Sequence, residues 1–481
     1  MTNTARKNAI VWFRQDLRLR DNPALTAASK SFRVIPIYIF DDQNAEDAAL
    51  GSTSKLWLHH SLKALNASLD DKLRFLSGDP QNLLLKLAAK DSVEAIFWNR
   101  VYEPWQTKRD KNIKKQLTER GYKVNSFNAS LLWEPWNVTK KDGSPYKVFT
   151  PFYRKGCLGA KPPRIPISKP KLSLGGRDES CGLDKLNELN LIPKKKWWPN
   201  LINNWNIGED AAIARLHEFL RDGLDGYKEG RNYPIKNNVS RLSPYLHWGE
   251  ISANTIWYET KHHLHYNQIN EQDADVFFSE LGWREFSHSL LYYFPELPSK
   301  NLQERFNSFE WCNNSDFFKA WKTGKTGYPI VDAGMIELYQ TGYMHNRLRM
   351  IVGSFLVKNL LIDWRQGEKW FWDCLVDANL ANNSAGWQWI AGCGADAAPY
   401  FRIFNPVTQG EKFDPDGSYT KKYLPELKHL SVKNLFAPWL ASKDVLSNAG
   451  VVLGTNYPYP IIDLKQSREK ALASFAKLKR L

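Results

Sequence analysis

The residues best equipped for chemistry crowd into positions 326 to 406. There the chain reads TGYPIVDAGM, then GYMHNRLRMIVGSFLVKNLLIDW, then VDANLANNSAGWQWIAGCG. Asn346, Arg349, Met350, Asp377, Asn379 and Asn383 thus share one window with Trp387 and Trp389. Arg349 is expensive to bury without a carboxylate, and Asp377 is its natural partner. Asn383 brings an amide that both donates and accepts. An ordinary core has little use for such groups beside so much aromatic surface, because each buried polar atom needs a partner. A bound heteroaromatic cofactor would supply those partners.

Two further segments carry groups of interest. NVSRLSPYL at 238–246 offers the hydroxyls of Ser240 and Ser243 and the charge of Arg241. Its SP, followed by YLHWGEIS, predicts a helix start that can hold an anion, and a plain N-cap explains it equally well. FFSELGWREFSHSLL places Glu280, Trp283, Arg284 and Phe286 near helical spacing. Read alone, a carboxylate one turn from a tryptophan is a surface pair.

Helices must position these groups. After His345, Leu348, Ile351, Val352, Phe355 and Leu356 share one face, which predicts a core-facing stripe. Asn346, Arg349, Met350 and Gly353 share the other and predict a pocket wall. The first third instead alternates strand and helix patterns. Strands are expected at Ala9–Phe13, Arg33–Phe40, Leu73–Leu76, Ala95–Trp98 and Lys123–Phe127. Helices are expected at Pro23–Lys30, Lys55–Asp71, Gln81–Ala89 and Lys108–Arg120. That alternation implies a doubly wound parallel sheet. No GxGxxG follows the first strand, so the fold is Rossmann-like without the dinucleotide fingerprint. GCGADA at 392–397 matches such a motif formally but lacks its strand–turn–helix setting.

The expected organisation is α/β plus all-α: an α/β domain over 1–132, a connector over 133–204 and a helical domain over 205–481. The connector is rich in Pro, Lys and Gly, as in AKPPRIPISKPK, and its Trp197 and Trp198 suggest that part of it packs. With 43% hydrophobic and 24% charged residues, the 481-residue chain reads as a soluble globular protein. Twenty tryptophans point to aromatic sites as well as packing. A net charge of +15 favours a polyanionic partner. The five cysteines, Cys157, Cys181, Cys312, Cys374 and Cys393, show no paired spacing and fit reduced thiols in a cytoplasmic protein. No stretch reaches transmembrane length, and no His/Cys spacing suggests a metal.

These segments, with IVWFRQDLRLRDNPAL near the start, resemble the photolyase/cryptochrome family along essentially the whole chain, nearest to the class I cyclobutane pyrimidine dimer photolyases. The resemblance implies a Rossmann-like domain, a helical FAD-binding domain and a UV-damaged DNA partner, handled by a monomer with no membrane. It implies that Arg349 and Asp377 flank the flavin ring and that Asn383 faces its N5. Ala378, Asn346 and Arg284 belong to the same implied cofactor set. So do Tyr227, Val239, Ser240, Arg241, Leu242 and Ser243, together as a diphosphate cradle. Asn379 stands where relatives usually carry a second Asp. Glu280 would hydrogen-bond the damaged pyrimidines, Trp283 and Trp389 would stack on them, and Met350 would line the pocket.

The implied electron path runs from Trp387 through Trp364 to Trp311. Implied DNA contacts are Arg231, Asn346, Arg347, Arg402 and Gln409 beside Glu280, Trp283 and Trp389. WNRVYEPW at 98–105 ends a strand where open α/β sheets bind ligands. Glu103 there is the candidate contact for an antenna, methenyltetrahydrofolate first and a deazaflavin second. Asn346 and Met350 match the dimer-repair pattern, whereas (6-4) photolyases carry His at both places and plant cryptochromes Asp and Val. Light-driven dimer repair is therefore the expected activity, and a blue-light receptor using the same flavin is the alternative.

Overall fold

The computed structural model describes residues 7–90, 92–175, 185–397 and 402–478, so Cys181 lies outside the described residues. Five strands form one parallel sheet in the order β3-β2-β1-β4-β5. They are β1 (Asn8–Phe13), β2 (Arg33–Phe40), β3 (Arg74–Ser77), β4 (Val93–Asn99) and β5 (Lys123–Phe127). The central strands read as continuous apolar runs because helices cover both faces of a parallel sheet. The helices between them are α1 (Pro23–Ser31), α2 (Ser52–Ser68), α3 (Pro80–Lys90) and α4 (Pro104–Glu119). The last starts four residues before the expected Lys108, since Pro104 is preorganised for a first turn.

Pro36 in the middle of β2 would break a strand bonded on both sides. Here β2 meets β3 only from Ile37 onward. Along its first half runs a piece of the expected connector instead. Val34 N donates to Ser173 O, and Gly175 N donates to Val34 O, each at 2.8 Å. The connector is therefore not a loose surface run. Trp133, Phe149, Phe152 and Tyr153 are buried, and Trp133 N donates to Glu285 Oε2 at 3.1 Å. Its Trp197 remains exposed.

Packing divides the chain into two compact units that interleave in sequence. The first comprises residues 1–198, 205–225 and 240–295; the second comprises 199–204, 226–239 and 296–481. Residues 240–295 join the sheet's unit through long-range bonds. Leu17 N donates to Trp248 O at 3.1 Å, and buried Arg18 donates to Gly249 O, Asp21 O and Ala129 O. The second unit is helical around one apolar cluster that includes Leu348, Ile351, Val352, Phe355 and Leu356, the predicted stripe. Among the described residues no helix is long and apolar enough to cross a membrane.

Gly249 is required at its position. Its φ is +66°, and a Cβ there would lie 2.1 Å from Gln15 O. Gly249→Ala is expected to lower stability by about 2 kcal/mol or more, measured as a fall in the urea midpoint. An unchanged midpoint contradicts this account of the turn.

Candidate functional site

In the helical unit, the Pro329–Thr341 helix ends at Gly342, whose φ of 66° reverses the chain. Three residues later His345 caps the next helix, Asn346–Ser354, by accepting from Arg347 N at 3.1 Å. Val376 N donates to Gly342 O at 2.8 Å and so holds the 375–379 loop against that reversal. This brings Asp377 to Arg349, whose Nη2 donates to both carboxylate oxygens at 2.8 and 3.1 Å. The Asp377 side chain is 3% exposed and that of Arg349 24%. Burial works against the Arg349 charge, but Asp377 together with Tyr343 and Glu337 holds the guanidinium above its ordinary pKa. Arg349 Nε is spent on Met344 O at 2.8 Å, so the fork has one orientation.

Asn379 caps the Leu380–Ala391 helix, its side chain accepting from Asn382 N at 3.1 Å. Asn serves as well as Asp in that place. Ala378 is buried between the two. One turn into the helix, Asn383 Nδ2 donates to Glu368 O at 3.0 Å. Its Oδ1 accepts nothing among the described residues, so this end of the amide suits a ligand N–H donor such as N5–H of a reduced flavin. Glu368 is the residue that sequence reasoning missed. It is buried, it accepts from Ser384 Oγ, and burial pushes its pKa up to about 8. The signal was present: Trp364, Gly367, Glu368 and Phe371 share one face of the Trp364–Cys374 helix, so a Glu sat on an apolar stripe.

Trp387 packs edge-on to Phe371 and Trp321, with ring centroids 5.0 and 6.3 Å away. A Cβ on Gly367 would sit 2.2 Å from its ring. Gly353 is not the open pocket wall that its spacing predicted. Its Cβ position is 2.8 Å from Ile390, so the glycine serves close helix contact. Trp364 is fully buried, with Nε1 on Asn301 Oδ1 at 3.0 Å. Trp311 is half-buried, 4.5 Å from Phe309, and packs against the same apolar cluster. The three indoles thus run from buried to partly exposed.

The N-terminal part of the Asn346–Ser354 helix is less buried on the side that carries Arg349. Asn346 is exposed and Met350 half-buried. Arg347 Nη2 bonds Asn232, Nη1 approaches Met350 Sδ at 3.7 Å, and the guanidinium lies 4.3 Å over the Phe413 ring. Burial and nearby Arg231 lower the Arg347 pKa. Arg231 itself lies 5.4 Å over the ring of Tyr227, which is buried in a single helical turn. Two adjacent cations beside an exposed amide favour phosphate. Trp389 and Gln409 are half-buried, and Arg402 is exposed.

The remaining candidates lie in the sheet's unit. Ser240 to Ser243 lead into the Ser243–Trp248 helix, for which Leu242 is the cap residue. Ser240 O accepts from Arg215 Nε at 2.8 Å, Arg241 lies 4.3 Å over Trp205, and Leu242 is buried. Val239 precedes them at the edge of the other unit. Glu280 and Trp283 are half-buried on the Glu271–Tyr293 helix. Phe149 stacks on Trp283 at 3.8 Å and 9°, which fixes the indole plane. Arg284 pairs with Glu285 at 3.0 Å. Burial lowers the Arg284 pKa and raises that of Glu285 to about 7.

Glu103 stands just before α4 and past β4, where the sheet order turns from β1 to β4, and its side chain makes no capping hydrogen bond to the helix. It is buried and accepts from Gln15 Nε2 at 3.4 Å and Trp105 Nε1 at 3.0 Å, and burial raises its pKa. Arg109 lies 5.1 and 5.0 Å over Trp12 and Trp105. The buried Trp12 Nε1 has no partner among the described residues. An aromatic ligand with an acceptor would fit this corner.

Comparison with known proteins agrees with these features. The family model "DNA photolyase" matches residues 9–170, and "FAD binding domain of DNA photolyase" matches residues 277–477. A deoxyribodipyrimidine photo-lyase of Agrobacterium fabrum is 47% identical, with 98% of each chain covered. Cryptochrome-2 of Arabidopsis thaliana is 37% identical over 96% of this chain and 78% of its own. The crystal structure of a bacterial class III photolyase from Agrobacterium tumefaciens superposes with a TM-score of 0.95 at 45% identity, covering 100% of both chains. The chain belongs to the photolyase/cryptochrome family, and its helical part is an FAD-binding domain.

Glu368 gives a pH test. Its folded pKa lies above the unfolded value near 4.5, so its stabilising effect is complete below pH 4.5 and is lost as pH rises through about 8. Glu368→Gln stays neutral throughout and is expected to gain on the order of a few kcal/mol over wild type between pH 5 and 9, measured by urea unfolding. A constant difference over that range contradicts burial as the cause.

Proposed function

We propose that this chain is a deoxyribodipyrimidine photo-lyase that repairs cyclobutane pyrimidine dimers in DNA under blue light. One observation carries the reading. The helix that brings Arg349 to Asp377 also presents, outside its buried stripe, Asn346, Arg347 and Met350. A single element thereby offers a flavin-type ion pair and a surface suited to a nucleotide. Relatives named as photolyases at 36% to 47% identity support it.

Arg349, Asp377, Asn379 and Asn383 would hold the flavin ring, and the Tyr227 turn with residues Val239 to Ser243 would hold its diphosphate. Bound there, reduced FAD supplies the light-excited electron that opens the cyclobutane ring and receives it back, so no external reductant is consumed. The protein's own part is placement and electrostatics. Arg231, Arg347, Arg402 and Gln409 would engage backbone phosphates, and the +15 charge makes that binding salt-dependent. A dimer must leave the base stack to be reached. Trp283, its plane fixed by Phe149, and Trp389 would stack on the flipped bases. Glu280 would hydrogen-bond their edges and stabilise the charge that develops there. Trp387, Trp364 and Trp311 would carry an electron inward to return oxidised flavin to its working state. Glu103 would contact an antenna, a folate such as methenyltetrahydrofolate ahead of a deazaflavin.

The identity to Cryptochrome-2 favours a second reading, a blue-light receptor using the same flavin. Illuminating the purified protein with an oligonucleotide containing a thymine dimer separates the two. Repair restores the ultraviolet absorbance of intact thymines; a receptor leaves it unchanged.

Two substitutions refine the reading. Glu280→Ala is expected to lower repair quantum yield by roughly threefold or more with flavin content unchanged. Equal loss of both would make Glu280 structural. Trp311→Phe should abolish photoreduction of oxidised flavin and leave repair by chemically reduced enzyme intact. Loss of both activities would remove Trp311 from the outer end of the electron path.

A further inference from the structure

We infer that Trp205 and Arg215 are positioning residues that shape the Ser240–Ser243 loop for the cofactor's diphosphate; this rests on the reading that the loop takes that diphosphate. Arg241 has a φ of +51°, a backbone state that residues with a Cβ rarely adopt. Leu242 follows in the right-handed region, with φ −87° and ψ −6°. A left-handed residue followed by a right-handed one turns successive N–H groups to one side, forming a concavity suited to an anion. Such a bend persists only where its surroundings enforce it.

Three elements enforce it here. Arg215, on the Glu209–Asp222 helix, donates from Nε to Ser240 O at 2.8 Å. Its Nη1 is tied to Glu218 at 2.8 Å, which fixes the direction of the fork. Trp205 lies under the Arg241 guanidinium, 4.3 Å from its centre. Leu242 anchors the loop in the core. Trp205 is itself braced edge-on by Trp57 at 5.2 Å and by Tyr245 at 6.5 Å. Trp57 Nε1 donates to buried Glu250 at 3.2 Å, and the Tyr245 hydroxyl donates to Asn206 O at 2.6 Å. A guanidinium over indole gains a directional attraction that an aliphatic side chain of similar size does not give. The stack therefore sets where the Arg241 charge stands and how the backbone turns beneath it. Trp205 and Arg215 belong to the same compact unit as the Ser240–Ser243 loop, whereas Arg349, Asp377 and Asn383 belong to the helical unit.

The test titrates the full-length deflavinated protein with FAD and, separately, with riboflavin, which has the ring but no diphosphate; flavin fluorescence is the readout. Trp205→Leu is expected to weaken FAD binding roughly tenfold and to change riboflavin binding by less than about twofold. Trp205→Phe should recover much of the loss. Arg215→Gln should give the same contrast, and it tests the loop independently should Trp205→Leu not fold. Equal weakening of both flavins, or no change in either, overturns the inference. If Arg241→Ala weakens FAD while Trp205→Leu and Arg215→Gln do not, the positioning role alone fails. If Ser240→Ala and Arg241→Ala also leave FAD affinity unchanged, the diphosphate reading beneath it fails.

Discussion

The helical unit is organised around the ion pair of Arg349 with Asp377. Two charges taken out of water cost several kcal/mol each, and their attraction returns this only with good geometry. Here the single nitrogen Nη2 meets both carboxylate oxygens, Nε is spent on a backbone carbonyl, and the two backbone segments are tied by Val376 N to Gly342 O. Each of those features constrains chain direction. Gly342 must turn, His345 must cap, and Asn379 must start the helix that carries Asn383 and Trp387. Within the helical unit the pair is thus a fixed point for the helix starts that carry Asn346, Asn379, Asn383 and Trp387.

The same unit buries further ionisable groups, and each locates something. The Asn346–Ser354 helix widens into a π-helical turn at Phe355–Asn359, a distortion often found at functional places. That turn carries Lys358, whose Nζ donates to Arg402 O at 2.7 Å, and burial brings its pKa down to about 7. Phe404 N reaches Ser354 Oγ at 3.4 Å. The segment bearing the exposed Arg402 is thereby anchored to the helix that bears Arg349. Glu368, protonated at neutral pH by its burial, joins the Trp364–Cys374 helix to Ser384 and presents its carbonyl to Asn383.

How much of this could be read from the sequence depended on the range of the interaction. The strands β1, β2 and β4 were legible because they are apolar on both faces, and the 348–356 stripe because a one-sided helix has a period. Arg349 and Asp377 were paired from the cost of burying a charge, with the family resemblance in support. The connector's packing partners were not legible because they are remote: Trp133 bonds Glu285, 152 positions away, and Ser173–Gly175 lies along β2. Gly353 looked like a pocket residue because spacing gives a face, not what packs there; Ile390 does. Glu368 was passed over because it is charged, although its place on an apolar stripe marked it as buried. The membership of 240–295 in the sheet's unit rests on bonds such as Leu17 to Trp248, which no local pattern encodes.

The most direct measurement of the account is the flavin content of Asp377→Asn protein, purified in the dark and verified as folded by circular dichroism. If the Arg349–Asp377 pair is the fixed point of the flavin site, this near-isosteric loss of one charge should leave a folded protein with less than about a tenth of the wild-type FAD per chain. A folded variant that keeps its full FAD complement would contradict the account.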